Sequence, residues 1–548
     1  MPRFSAATRR ADLSDAVTSE LDVLVVGMGA TGAGVALDAA SRGLSVLVVD
    51  QGDLASGTSS KSSKLVHGGL RYLENYEFGL VREGVVERQL LMRLAPHLVR
   101  PMDFLYPVWP DTAKRHLLGL GLSTYDVFAL AQGSAVRRHE RLTADEAIAL
   151  APALAASGLA YSYLYGDCAT DDARLVLAVV QAGRRFGALT ATYTQVTGLL
   201  RDGGGRVVGV VATDRISGEV RELRARHVVN ATGVWVDVLQ QEEEPGRAAM
   251  VQPSKGVHVV VPAARLPLTE ASVLLPSKQG DGRSMFAIPW GRQTILGTTD
   301  TPYDGDLADL SLTGSDLDYV LAAGNAVFRR DLTADDVLGA WAGARPLLVG
   351  NGAMSDLSRR HTLVEGRGGM LTITGGKLTT YRRMAKDVVD AVVERDGRRE
   401  RCRTEEIPLT GVRSPEAVVA EAVAAAAGLG LSADAIASLV RQTGEAAVSV
   451  LALVAAEPSL AEPLSAHTPH LRAEVVHAAR AEGAMTLEDV FARRMRISLR
   501  EKDAGLPGAL GAARLLAAEL GESEEWAADQ VRAYADGVRA ERGVLGLG

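Results

Sequence analysis

Cysteine is scarce: two residues, Cys168 and Cys402, stand in a chain of 548. They are far apart and show neither a CxxC nor a Cys/His ligand spacing, which argues against a metal site or a disulfide framework and for two reduced, mostly buried thiols in a cytosolic protein. Lysine and arginine never run together long enough to form a nucleic-acid surface, and the net charge is -8, so DNA and RNA are excluded as partners. The first twenty residues contain arginines but no apolar h-region before Asp22, so they lack the build of a secretory signal and read as a flexible N-terminal tail. No uninterrupted apolar run reaches the ~18–20 residues of a membrane-crossing helix, so the chain is expected at most to lie on a membrane. No internal period marks a solenoid.

What is present is enough apolar material for more than one core: 47% of the residues are hydrophobic, and single cores stop growing at roughly 250–300 residues. From Leu21 to Gln51 the chain reads as a βαβ unit, with apolar runs Asp22–Val26 and Ser45–Val49 around a glycine turn and a small-residue helix. A helix-like Asp171–Phe186 and strand-like Val207–Thr213 and His227–Val229 look like the returning half of the same sheet. Alternating β-branched runs at Val257–Val261, Ser284–Ile288 and Thr294–Thr298 predict an antiparallel sheet, a natural roof for a substrate. Beyond about Glu400, alanine, glutamate and arginine at helical spacing predict a separate all-α domain.

Gly27-Met28-Gly29-Ala30-Thr31-Gly32 has GxGxxG spacing after a strand and before a helix, which turns a weak motif into a strong one. Gly27 permits the tight turn, Gly29 lets the backbone approach a pyrophosphate, and Gly32 lets helix and strand pack closely. The helix N-terminus then faces the phosphates. Asp50, ending the second strand, sits where a carboxylate accepts hydrogen bonds from a ribose diol.

FAD and NAD share this fingerprint, and three further segments favour FAD. Gly57–Tyr72 brings hydroxyls, amides and glycines (Thr58, Ser59, Ser63, Lys64, Leu65 and His67 among them) to a pyrophosphate and the polar edge of a flavin. Val229–Trp235 runs a strand into a turn at Gly233. Thr372–Arg382 passes through Gly375-Gly376-Lys377-Leu378-Thr379 into a helix start, which suits negative charge on a reduced flavin. Taken singly each is a hydroxyl-rich loop or a turn; together they resemble the flavoproteins that include D-amino acid oxidase.

The resemblance narrows to the aerobic glycerol-3-phosphate dehydrogenases, carried by TSSKSSKLVHGGLRYLE (58–74), GDCATDDARLVL (166–177), SKGVHVVVP (254–262), ILGTTDT (295–301), GARPL (343–347) and GGKLTTYR (375–382), with a weaker likeness at MTLEDVFAR (485–493). It implies a Rossmann-like FAD-binding domain with an antiparallel-sheet substrate domain, together α/β, and an all-α C-terminal domain. The expected limits are a tail over 1–20, FAD-binding and substrate parts over 21–400 with the roof near 250–345, and helices over 401–548. It also implies oxidation of sn-glycerol 3-phosphate to dihydroxyacetone phosphate, with electrons passed to a respiratory quinone by a cytoplasmic protein on the inner face of the cell membrane.

A phosphorylated alcohol needs cations, and arginine offers a planar fork where lysine offers a point charge. Arg71, Arg345 and Lys377, with Tyr72 as a hydroxyl donor, sit inside the matching segments; Arg359 joins them, although the adjacent Arg360 is an equal candidate. Each alone would read as a surface ion-pair partner. Oxidising the C2 alcohol requires a neutral base, for which histidine is suited. His258 is the candidate, although a lone strand histidine is more often a satisfied core residue; His67 shapes the flavin loop or contacts the ring. His258, Arg345 and Lys377 form the expected catalytic set.

Phe104–Phe128 combines Tyr106, Trp109, Tyr125 and Phe128 with Lys114, Arg115 and His116 and a leucine-rich stretch, which suits an element lying in a membrane interface. A buried helix explains the same residues. Arg494, Arg496 and Arg500 read as a solvated face. The C-terminal region is either a dimerisation surface, giving a homodimer, or a brace. The rival readings are an oxidase passing electrons from the same substrate to O₂, disfavoured by the lack of a large insertion, and an amine or amino-acid oxidase, which would not need this many phosphate-binding cations.

Overall fold

The structure, a computed structural model, describes residues 4–70, 77–110, 112, 115–131, 133, 136–276, 284–349, 360–411, 414–465 and 468–544. Two sheets organise it. The first has the strand order His361–Glu365, Leu371–Gly375, Val220–Asn230, Leu21–Val26, Val46–Val49, Leu189–Ala191, and the four pairings inward of the His361–Glu365 edge are parallel. Its central strands LDVLVV and VLVV are apolar on both sides because helices cover one face and a second layer the other.

The helix Ala30–Ser41 is almost wholly buried, and its small residues allow this. At Gly34 a Cβ would come 2.9 Å from the Tyr381 ring, so glycine is what lets the helix Tyr381–Arg395 pack against it. Val207–Asp214 joins the first sheet as expected, but through an antiparallel ladder with the outer half of Val220–Asn230, and it pairs in turn with Thr194–Arg201. The long Val220–Asn230 strand is shared, parallel at its inner end and antiparallel at its outer end, which short apolar runs do not reveal.

The second sheet is the roof. Val251–Pro262 pairs antiparallel with Gly339–Leu348 on one side and Gln293–Gly297 on the other. The sheet continues through Ser284–Trp290 and Ser272–Pro276 to Arg100–Val108 and Tyr161–Ala169, with Leu65–Val66 and Glu140–Leu142 paired to the last, so four of its strands come from well before residue 250. That placement corrects the view of Phe104–Phe128 as one interfacial element. Phe104 and Tyr106 belong to the sheet, Trp109 packs on the roof's core, and Tyr125 and Leu122 are buried. What remains outward on the helix Arg115–Leu130 is Leu117, Leu120, Val127 and Leu130. Lys114 lies outside the described residues.

The N-terminal segment is not a flexible tail over its described length. Ser5 caps a helix, Ala6–Thr18, whose Leu13 and Ala16 join a core and whose Arg9 pairs with Asp214 at 2.7 Å and donates to the Thr192 carbonyl. Polar residues on this helix satisfy buried partners, so its poor apolar periodicity misleads. The C-terminal helices, from Pro415–Ala425 to Glu524–Val544, enclose two cores of their own. Ala433–Ala456 has the length and mean apolarity of a membrane span, but Asp434, Arg441 and Glu445 interrupt it, a 3-10 segment at Gly444–Ala446 breaks it, and it packs Leu439, Val450 and Leu451 into one of those cores.

Arg494, Arg496 and Arg500 are not a solvated face. Arg494 donates to both oxygens of Asp53, one at 2.9 Å; Arg493 adds 2.6 Å bonds to Asp53 and Asp489; Arg500 lies 4.0 Å over the Trp290 ring. Arg494 and Arg496 looked solvated because their carboxylate partners, Asp53, Asp171 and Asp172, are more than 300 residues away in sequence. Asp53 carries no exposed side-chain surface, and its two guanidiniums hold its carboxyl below the usual range. Breaking a buried ion pair from one side strands the remaining charge and costs roughly 3–5 kcal/mol. Asp53→Ala is expected to lower the thermal unfolding midpoint accordingly; an unchanged midpoint would mean that the clasp is solvated after all.

Candidate functional site

A cavity of about 480 Å³ runs between the two sheets, from the glycine turn to the roof. At one end, Gly27 has φ +103 and no room for a Cβ, which would stand 2.6 Å from the Ala231 carbonyl oxygen. Gly32 does not line the cavity; a Cβ there would lie 1.8 Å from the Gly27 carbonyl oxygen, so its part is packing. Gly29 does line it, and the Ser59 hydroxyl accepts from the Ala30 amide at 3.0 Å, capping the helix start. These are the features of a turn that presents backbone amides to a pyrophosphate.

Asp50 accepts from the Met28 amide at 2.7 Å and the Gly52 amide at 3.0 Å, which aims it across the turn. Burial pushes its carboxyl up to about 6, against the opposing pull of those amides. A ribose diol donating to Asp50 favours the ionised form, so cofactor binding is coupled to proton loss. FAD affinity is therefore expected to weaken as pH falls below about 6 and to level off above it, a profile that fluorescence titration from pH 8 to 5 would reveal; a flat response would remove Asp50 from the ribose contact.

Along the cavity stand Thr58, Ser59, Ser63, Leu65, His67 and Gly233, and then Gly375, Gly376, Lys377, Leu378 and Thr379. Gly375 (φ +78) and Gly376 (φ +69) adopt left-handed backbone that turns the strand Leu371–Gly375 into the helix start. The Thr379 hydroxyl ties this turn to the backbone of His67, at 3.2 Å from its amide. Lys64 is a correction: its side chain points away from the cavity, paired with Asp172 at 3.1 Å and 4.5 Å over the Trp341 ring. A buried ammonium needs a counter-ion, and Asp172 supplies it; burial still pulls Lys64 down to about 8.

His258 and Arg345 close the far end. Register sets both: His258 stands opposite Gly297 and Trp341, and Arg345 opposite Ser254. Two glycines make the room, signals not singled out in the sequence. A Cβ at Gly297 would meet the His258 ring at 2.4 Å, and one at Gly256 would meet the Arg345 guanidinium at 2.4 Å. Arg345 is held by the Thr298 hydroxyl at 2.8 Å, the Thr299 carbonyl at 3.1 Å and Asp300 at 3.3 Å. His258 is buried, stacked on Trp341 with centroids 4.7 Å apart, and bonded through Nε2 to the Ser63 hydroxyl at 2.8 Å. Burial, with Arg345 and Lys64 nearby, holds its pKa well below the ordinary histidine value, so it is neutral at physiological pH. Its Nδ1 has no hydrogen-bond partner among the described residues.

Arg71, Tyr72 and Arg359 lie outside the described residues; Arg360 is exposed and off the cavity. The residues present fit a flavin dinucleotide: an anion-binding turn with a carboxylate at one end, and a neutral base with a buried unpartnered nitrogen beside a fixed cation at the other.

Residues 22–382 match the family described as FAD dependent oxidoreductase, and residues 402–527 match the C-terminal domain of alpha-glycerophosphate oxidase. Among curated proteins, the chain is 43% identical to glycerol-3-phosphate dehydrogenase 2 of Mycobacterium tuberculosis strain H37Rv, over 96% of this chain and 89% of that protein. It is 37% identical to the aerobic glycerol-3-phosphate dehydrogenase of Bacillus subtilis, over 75% of this chain and 74% of that one. Among solved structures, glycerol-3-phosphate dehydrogenase from Bacillus halodurans complexed with FAD is 31% identical, covers 98% of each chain and superposes with a TM-score of 0.81.

Proposed function

Because the chain belongs to the FAD-dependent oxidoreductases, in their glycerol-3-phosphate dehydrogenase branch, we propose that it oxidises sn-glycerol 3-phosphate to dihydroxyacetone phosphate. The observation that carries this is the single cavity joining the dinucleotide turn at Gly27–Gly29 to His258, Arg345 and Lys377. Bound in this cavity, FAD would supply the two-electron acceptor for the oxidation. The chain's residues do the rest. Arg345, immobilised by three oxygens, offers a rigid fork to the phosphate, and Lys377 adds a second charge from the glycine turn. Neutral His258 takes the C2 hydroxyl proton, which makes the carbon a hydride donor. Arg71, Tyr72 and Arg359 complete the phosphate site in this reading.

Anaerobic mixing of the yellow protein with sn-glycerol 3-phosphate tests it. Rapid bleaching, absent with glycerol or with the opposite enantiomer, is the expected result; an FAD-loaded protein that stays yellow refutes the substrate.

The electron acceptor in this reading is a membrane quinone, reached by a cytoplasmic protein resting on the inner face of the cell membrane. The outward Leu117, Leu120, Val127 and Leu130 of one helix support it, since a row of exposed apolar side chains suits an interface. The double variant Leu117→Asp, Leu120→Asp should release the protein from anionic liposomes while leaving flavin reduction intact; unchanged flotation with liposomes refutes this contact. Hydrogen peroxide at one equivalent per turnover under air would instead identify an oxidase.

A further inference from the structure

The C-terminal domain sends one arginine towards the catalytic end of the cavity. Arg496 donates to Asp171 at 2.7 Å and also to Asp172. Asp172 is buried and accepts from the Ser62 amide at 3.0 Å and the Ser62 hydroxyl at 2.7 Å, and it pairs with Lys64. These bonds fasten a turn of three residues. Its middle member, Ser63, is the hydrogen-bond partner of His258 Nε2. Both ends of the chain of contacts, Arg496 (φ +64) and Lys64 (φ +58), hold left-handed backbone without being glycine, a conformation that persists only where surroundings enforce it.

We propose that Arg496, Asp172 and Ser63 form a positioning relay through which the C-terminal helical domain fixes the ring orientation and tautomer of His258. The argument is one of degrees of freedom. Stacking on Trp341 at an interplanar angle of 11° fixes the plane of the imidazole but not its rotation within that plane. The Ser63 bond does, and among the described residues it is the ring's one hydrogen bond. If Nδ1 carried the hydrogen, a buried N–H would have no acceptor, an expensive state. The tautomer that donates Nε2–H to Ser63 leaves Nδ1 as a bare lone pair, which carries no hydrogen in need of an acceptor, and Ser63 then steadies the imidazolium that forms. The charged groups that act on the ring are Arg345 and Lys64, and Lys64 is in turn balanced by Asp172. Arg496 and Ser63 are positioning residues: Arg496 acts through Asp172 and the turn, Ser63 through His258.

The relay rests on the reading of His258 as the base, and the test separates the two. The ring nitrogens of His258 are followed by nitrogen NMR in FAD-loaded protein without substrate, assigned by their loss in His258→Asn. The native protein should show Nε2 protonated and Nδ1 bare, and Ser63→Ala and Arg496→Met should each give mixed tautomers. Limiting rates of flavin reduction should fall by roughly 10- to 100-fold in each, as expected for a misplaced reacting group, with little change in substrate affinity. The double variant should be no slower than the slower single one, because both act on the same bond. Ser63→Thr should restore most of the rate, and Arg496→Lys, which keeps the charge but loses the fork, should fall between; it replaces Arg496→Met if that protein fails to load FAD. An unaltered tautomer in the arginine variants, or single effects that multiply in the double variant, overturns the relay. Failure of native protein to bleach would instead refute the substrate and leave the tautomer result standing.

Discussion

His258→Asn should remain yellow and bind glycerol 3-phosphate, yet reduce its flavin roughly 10²-fold or more slowly, the usual contribution of a general base. His258 is buried at the roof end of the cavity, and the glycine turn that holds the dinucleotide is at the other, so cofactor retention and proton removal are separable. Asparagine keeps a polar group near Ser63 but cannot take a proton. Because burial, with Arg345 and Lys64 nearby, destabilises the imidazolium, His258 is already unprotonated at neutral pH. The reduction rate of the native protein should therefore be flat through neutrality and decline only in acid, well below the ordinary histidine value. Single-turnover reduction by the variant at a near-native rate would falsify the assignment of the base.

Gly32→Val should give a folded protein that purifies colourless. The reason lies in packing: the Cβ at this position meets the Gly27 carbonyl oxygen at 1.8 Å, and neither partner is a side chain that can swing aside. Either the helix Ala30–Ser41 slides or the turn opens, and both displace the amides that receive the pyrophosphate. Over-packing of this kind costs up to about 3 kcal/mol, and if most of it falls on the bound geometry, FAD affinity drops by roughly 10²-fold. Equilibrium dialysis against FAD measures this, with circular dichroism to confirm the fold. Native affinity in the valine variant would show that the turn tolerates the displacement.

Much of this site is written locally. GxGxxG and Asp50 lie within one βαβ unit, so their meeting is decided by chain continuity and a short turn. Gly375–Thr379 likewise forms its own turn. For the same reason Lys64 was misjudged: its neighbours in sequence line the cavity, but a left-handed φ of +58 turns its side chain to Asp172, more than a hundred residues away. The segment Phe104–Phe128 hid a roof strand and a helix because aromatics and leucines look alike whether they meet lipid or core. The N-terminal helix escaped notice because it is held by Arg9 and Asp214 rather than by an apolar stripe.

By itself the sequence determined the glycine turn with Asp50 and the glycine-rich loops along the cavity, and it put forward His258, Arg345 and Lys377 as candidates at the other end, because glycine spacing and residue chemistry constrain the backbone where it stands. Only the tertiary structure decided the partners of those groups: Ser63 for His258, Asp300 for Arg345, and Asp53 and Asp172 for the arginines of the C-terminal domain. Such pairings depend on strand register and on contacts between distant segments, where a carboxylate near an arginine in space leaves no spacing to read along the chain.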